Sequence, residues 1–165
     1  MYDPPSSGSF DAHAASTASP GGAATADAGP VVLSFDGGCD PATGEMELRV
    51  DGPGWHVHRS GVVTVANGQG VTGPAPHPTD PGTCNQAHWL AAVLALEEAL
   101  ARGLFDVVVE GDSELVVEQA DGPPFRCEDP VLQTIRARYL ALRPRFSNVR
   151  WRHVPKNANP AHRNR

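Results

Sequence analysis

The chain is poor in the features that would assign it to several common classes. Its 165 residues include one lysine (Lys156), two methionines, two tyrosines and three cysteines. Cys39, Cys84 and Cys127 lie far apart, with neither the close pairs of a zinc clip nor the even count of a disulfide framework. They read as idle thiols in a reducing, cytoplasmic setting. No run approaches the ~18 apolar residues needed to span a membrane. A basic start followed by an apolar stretch is also missing, which argues against a secretory signal. There is no internal repeat.

Acidic residues are absent from the whole of 131–165. That segment holds nine of the 13 basic residues, and all 19 acidic residues precede it. It therefore carries +9, and the remainder −15, of a net charge of −6. Such a split implies one basic and one acidic region. A basic face can neutralise phosphates; a solvated, arginine-rich helix and strand would give the same pattern.

Hydrophobic residues make up 40% of the chain, which suits one domain with a core. Residues 1–30 are rich in Ala, Gly, Ser, Pro and Thr without periodicity, and bury too little to offset ordering entropy. They read as a disordered tail before a domain at 31–165. Val31-Val32-Leu33-Ser34-Phe35 reads as a buried strand that presents Asp36 at its carboxyl end, before Gly37-Gly38. Alternation at 45–50 and apolar residues at 55–65 predict two or three further strands, with turns at Asp51-Gly52 and Asn67-Gly68. Residues 71–82 read as loop.

Residues 85–102 show the clearest helical pattern, with Ala87, Leu90, Ala91, Leu94 and Ala95 on one face and Gly103 as the stop. A second buried strand covers 105–110 and ends at Gly111-Asp112-Ser113. A short helix follows at 114–120. Asp129-Pro130 starts another that runs to about Leu142. Residues 149–154 form a last strand, and Pro155 opens a polar tail. Strands alternating with helices predict an α/β fold whose mixed sheet has parallel members. In such sheets functional residues gather at strand carboxyl ends, where Asp36 and Asp112 both fall. Two carboxylates so placed can hold a divalent ion. Asp before Gly is also an ordinary turn residue, and Asp112 could equally cap the helix after it.

Four segments, in order, resemble ribonuclease H domains. Leu33-Ser34-Phe35-Asp36-Gly37-Gly38 is similar to that family's first strand, and Asn85-Gln86-Ala87-His88-Trp89-Leu90-Ala91 to its first helix. Val109-Glu110-Gly111-Asp112-Ser113-Glu114-Leu115-Val116-Val117 resembles its Glu-Gly-Asp-Ser block, and Arg152-His153-Val154-Pro155-Lys156 the segment after its last strand. The resemblance implies a ribonuclease H-like fold, a mixed five-stranded sheet flanked by helices. It also implies endonucleolytic cleavage of RNA in RNA–DNA hybrids, with Mg²⁺ or Mn²⁺ as cofactor and hybrid or RNA as partner.

Of the family's four catalytic carboxylates, Asp36 matches the first and Asp112 the third. His88 stands at the second. For the fourth, His162 after Ala161 is the nearest match but one residue short of the usual spacing; a count from Pro155 falls near Arg163, and a match beyond the end of the chain is the third possibility. The resemblance thus gives Asp36, Asp112 and His88 as metal ligands and His162 as a further catalytic candidate. It gives Asn85 and Gln86 as contacts to the substrate backbone, joined by Arg150, Arg152 and Lys156 from the basic segment. With two carboxylates for four, the expectation is weakened Mg²⁺ activity; a softer site rebuilt with His88 and His162, and a non-catalytic binding module, are the alternatives. Trp89 and Trp151 could stack on bases or pack in the core.

Removing residues 1–30 is expected to leave the melting temperature and hybrid binding unchanged. A large loss of either would show that the tail docks on the domain.

Overall fold

The computed structural model describes residues 28–40, 42–66, 69–72, 83–122 and 129–163. The expected tail, apart from its last three residues, lies outside them, as do Asn67-Gly68 and most of the expected 71–82 loop. Six strands, β1 (Val31–Cys39), β2 (Glu45–Gly52), β3 (Trp55–Ala66), β4 (Gln69–Thr72), β5 (Asp106–Gly111) and β6 (Asn148–His153), form a sheet in the order β4-β3-β2-β1-β5-β6. β2 and β3 pair antiparallel on one side of β1, and β5 and β6 parallel on the other. This is the expected mixed sheet, with the four-residue β4 added to its edge as a hairpin with β3. Val71 and Thr72 therefore belong to a strand, not a loop. The β2–β3 turn falls at Pro53-Gly54, one pair later than expected, with Gly54 at φ +77°.

β1 continues three residues past the expected end. Its antiparallel register with β2 runs to Cys39↔Met46, whereas the parallel register with β5 stops at Phe35↔Gly111. Asp36 is thus mid-strand with respect to β2 and the first residue beyond the parallel ladder. The strands diverge there, and Asp112 follows β5 directly.

Helices α1 (Thr83–Ala101), α2 (Glu114–Asp121) and α3 (Pro130–Leu142) follow the expected order. α1 is not the one-sided helix that its stripe suggested. Trp89, Ala92, Val93 and Leu96 are buried along with Ala87, Leu90, Ala91, Leu94 and Ala95. A helix apolar on every side is one packed on every side, and α1 contacts β1, β2, α2 and α3. Phe35, Trp89, Tyr139 and Trp151 form an aromatic cluster with ring centroids 5.4–6.3 Å apart. Each indole N–H has a partner: Trp89 Nε1 donates to Gln119 Oε1 (2.7 Å) and Trp151 Nε1 to the Tyr139 hydroxyl (3.2 Å). Both tryptophans are therefore core residues rather than base-stacking platforms.

Asp129 caps α3 as expected, accepting from the N–H groups of Val131 (2.8 Å) and Leu132 (3.4 Å). α2 is capped by Ser113, whose hydroxyl accepts from Val116 N–H, so Asp112 is not the cap. The segment after Pro155 is more than a polar tail. It forms a single 3₁₀ turn at Lys156–Ala158 and a one-turn helix, α4 (Pro160–Arg163), that packs back on β1 and β2 with Ala161 buried.

Two glycines of the sequence motifs have steric reasons. A Cβ on Gly111 would lie 2.4 Å from the Phe35 ring. A Cβ on Gly37 would lie 2.3 Å from the backbone of Ala87 and His88. Backbone cannot give way as a side chain can, so α1 rests directly on the β1 main chain. Gly37→Ala is expected to cost about 1–3 kcal/mol, as overpacking does, and to lower the melting temperature accordingly. An unchanged melting curve would mean that α1 can lift off β1 at little cost.

Candidate active site

Arg102, just past the end of α1, places its guanidinium 4.0 Å from the centre of the Trp55 ring, beside the β2–β3 turn. α1 therefore runs antiparallel to β1, and its first turns lie where Asp36 and Asp112 emerge. Asp36, Asp112 and His88 each bring one ligand atom to within 4.8 Å of the others.

Asp36 is only 2% exposed and stands between two imidazoles. His88 Nε2 is 3.6 Å from its Oδ1, and His162 Nδ1 is 3.1 Å from its Oδ2. The other His88 nitrogen, Nδ1, is 2.6 Å from the Cys84 carbonyl oxygen one turn back. A carbonyl can only accept, so Nδ1 carries a proton and donates it. The neutral ring then presents the lone pair of Nε2 to the carboxylates, the tautomer a metal ligand requires.

Asn159 joins the remaining parts. It is fully buried, and its Nδ2 donates to Phe35 O (2.9 Å) and Asp112 Oδ1 (2.8 Å). Its Oδ1 accepts from Ala161 N–H (3.1 Å) and so starts α4. One amide thereby links β1, the end of β5 and the helix that carries His162. Of the two residues that spacing pointed to, His162 is the one that reaches Asp36, while Arg163 is exposed with its guanidinium near Ala158 O. The role of Asn159 at the site needed the fold.

The imidazole of His88 titrates above its ordinary range. Burial pushes its pKa down, but the hydrogen bonds to Asp36 and to the Cys84 carbonyl, and the charges of Asp112 and Asp36, outweigh that. The site opens into a cleft of about 510 Å³ whose walls include His88, Asp112, Asp40, Glu45, Glu47 and Lys156. Such a wall is strongly negative, with Lys156 its one cation among the described residues.

The other expected contacts divide. Asn85 is exposed in the first turn of α1, next to the cleft residue Cys84. Gln86 points inward: it is 7% exposed and donates to Asp129 Oδ2 (3.1 Å), so it joins α1 to the α3 cap rather than to a substrate. Arg150 and Arg152 are exposed on β6 and are not among the residues that line the cleft. Arg150 pairs with Asp106 (3.2 Å), and Arg152 with the buried Glu110 through two nitrogens (3.0 and 2.5 Å). Ser34 Oγ also donates to Glu110 (2.9 Å). The Arg150 pair is half exposed on both sides and worth about 0–1 kcal/mol, so a phosphate could displace it. Arg152 is held more firmly. The excess positive charge read from 131–165 is thus partly neutralised by strand neighbours.

Residues 59–163 match the reverse transcriptase-like family. The match takes in His88, Asp112 and His162 but begins after Asp36. Ribonuclease HI of Halobacterium salinarum is 33% identical over 99 residues, covering 60% of this chain and 49% of the relative. The chain thus spans about half the length of that curated relative. The crystal structure of RNase H1 from Halobacterium salinarum superposes with a TM-score of 0.61 at 28% identity, over 81% of this chain and 91% of that one. LC11-RNase H1, isolated from compost and solved in complex with an RNA/DNA hybrid, gives 0.58 at 24% identity, over 79% and 88%; at that identity the likeness is one of fold.

In metal-free protein the His88 ring is expected to titrate above the ordinary value of 6.5 by NMR, and Asp36→Asn should bring the midpoint down. A folded pKa raised above the unfolded one stabilises the protein fully below about pH 6.5; that contribution is lost as pH rises through the folded value. A midpoint at or below 6.5 in the parent would show that burial dominates.

Proposed function

The chain belongs to the reverse transcriptase-like family of ribonuclease H domains, and on that footing we propose that it is an endoribonuclease that cuts RNA paired with DNA, using a divalent cation held by Asp36, Asp112 and His88. The observation that carries this reading is the convergence of those three side chains, from β1, the end of β5 and α1, beside a cleft that His88 and Asp112 line. The names of the Halobacterium salinarum relatives, ribonuclease HI and RNase H1, support the reaction class. The hybrid held by LC11-RNase H1, a protein of the same fold, supports the substrate.

The donor set is two hard carboxylate oxygens and one imidazole nitrogen. It suits Mn²⁺ better than Mg²⁺, which takes oxygen ligands in octahedral geometry. Activity with Mg²⁺ is therefore weak. A cation bound there supplies Lewis acidity and lowers the pKa of water toward neutrality. The acidic cleft supports the same dependence, since Asp40, Glu45, Glu47 and Asp112 repel a polyanion until a cation offsets them. Lys156 and Asn85 meet the phosphate backbone, with Arg150 reachable from the β6 edge. Asn159 holds Asp112 in place, and His162 holds Asp36. The free thiols of Cys39 and Cys84 fit a reducing cytoplasm.

A second reading, a non-catalytic module that binds hybrid or RNA, is favoured by one observation: the side chains beside Asp36 are the imidazoles of His88 and His162 rather than carboxylates. Cleavage of a labelled hybrid in Mg²⁺ and in Mn²⁺ separates the two. Cleavage is expected, faster in Mn²⁺. Asp36→Asn or Asp112→Asn should lower it by more than the ~10–100-fold typical of losing a partner of a metal ligand. His88→Glu should raise the Mg²⁺ rate by restoring an oxygen ligand. No cleavage in either metal, with hybrid still bound, supports the binding module.

A further inference from the structure

We infer that this site is built for one divalent cation and not two, because His162 and Asn159 engage carboxylate oxygens that a second ion would need. The inference rests on the reading of Asp36, Asp112 and His88 as cation ligands.

A pair of ions ~3.5–4 Å apart needs a carboxylate that offers one oxygen to each, and further anionic ligands on both sides. Here each carboxylate of the cluster has an oxygen engaged by a neighbouring side chain, and Oδ1 of Asp36 faces His88 Nε2 at 3.6 Å. Asp36 Oδ2 accepts from His162 Nδ1 at 3.1 Å, which puts an imidazole ring where an ion on that oxygen would sit. Asp112 Oδ1 accepts from Asn159 Nδ2 at 2.8 Å, and that amide cannot turn away, since it is fully buried and its other contacts are Phe35 O and Ala161 N.

What converges is one ligand atom from each of Asp36, Asp112 and His88, of which His88 and Asp112 line the cleft. Three protein atoms, completed by waters, make one coordination sphere. Charge at the ligands agrees: Asp36 and Asp112 balance one dication, and the other carboxylates of the cleft wall, Asp40, Glu45 and Glu47, are not among the converging groups. His162 is, on this view, a positioning residue: it fixes Asp36 and limits the number of ions.

The test counts ions on the full chain. Mn²⁺ is titrated by calorimetry and by EPR, with Asp36→Asn as the background for Mn²⁺ on surface carboxylates. The parent is expected to take one Mn²⁺ above that background, with the spectrum of an isolated ion. His162→Asp releases Oδ2 and adds a carboxylate, and is expected to take two, with the exchange-coupled spectrum of a close pair. A coupled pair in the parent overturns the inference, as does one ion in a His162→Asp variant that keeps its near-UV circular dichroism. If that variant does not fold, the parent's count and spectrum decide alone. No ion above background overturns both this inference and the ligand set beneath it. Hybrid cleavage is scored separately: one ion without cleavage sinks the proposed activity and leaves the count standing, whereas two ions with cleavage does the reverse.

Discussion

The contact on which the site depends is the approach of the α1 main chain to β1 at Gly37. No side chain fits between them, as the 2.3 Å separation from an added Cβ to the Ala87 carbonyl carbon shows. This closeness lets a helix on one face of the sheet deliver His88 to Asp36, which β1 presents beyond the parallel ladder. It also explains why α1 is alanine-rich and apolar all round. It lies on strands, and its Trp89 joins an aromatic cluster with Tyr139 of α3 and Trp151 of β6.

From that contact the remaining geometry follows. β1 and β5 pair in parallel only as far as Phe35 and Gly111, and part there. The gap between them is where Asp36 and Asp112 emerge, and Asn159 closes it from the third side with hydrogen bonds to both strands' ends. A fully buried amide with three partners is costly to disturb, because any one left unpaired forfeits about 1–3 kcal/mol. α4 has one turn and little apolar surface of its own, so it owes its place largely to this amide and to the buried Ala161.

Electrostatics divides the molecule differently from what counting charges suggests. The C-terminal arginines of β6 sit beside Asp106 and Glu110, so much of the positive field of 131–165 is spent within the sheet. Lys156 instead faces an acidic cleft. At the centre, the imidazoles of His88 and His162 bracket a buried carboxylate. Imidazoles in place of carboxylates leave the site with less negative charge than four carboxylates would, and that deficit limits which cation, and how many, it can hold.

Patterns along the chain were enough for the α/β class, the order of strands and helices, the Asp129 cap and the placing of Asp36 and Asp112 near strand ends, because periodicity, turn chemistry and capping are local properties. The motif resemblance pointed to His88 at the second carboxylate position and left the fourth open between His162, Arg163 and a match beyond the end of the chain. Local pattern could not say that α1 is buried on every side, since burial depends on what packs against a helix from distant segments. It could not place Gln86, which looks the same in sequence whether it faces a substrate or Asp129. Nor could it decide that the turn after Pro155 folds back. That outcome rests on hydrogen bonds from Asn159 to Phe35 and Asp112, 124 and 47 residues away. Only tertiary structure brings such partners together, because the entropy of closing those loops is recovered by the whole packed core rather than by any one segment.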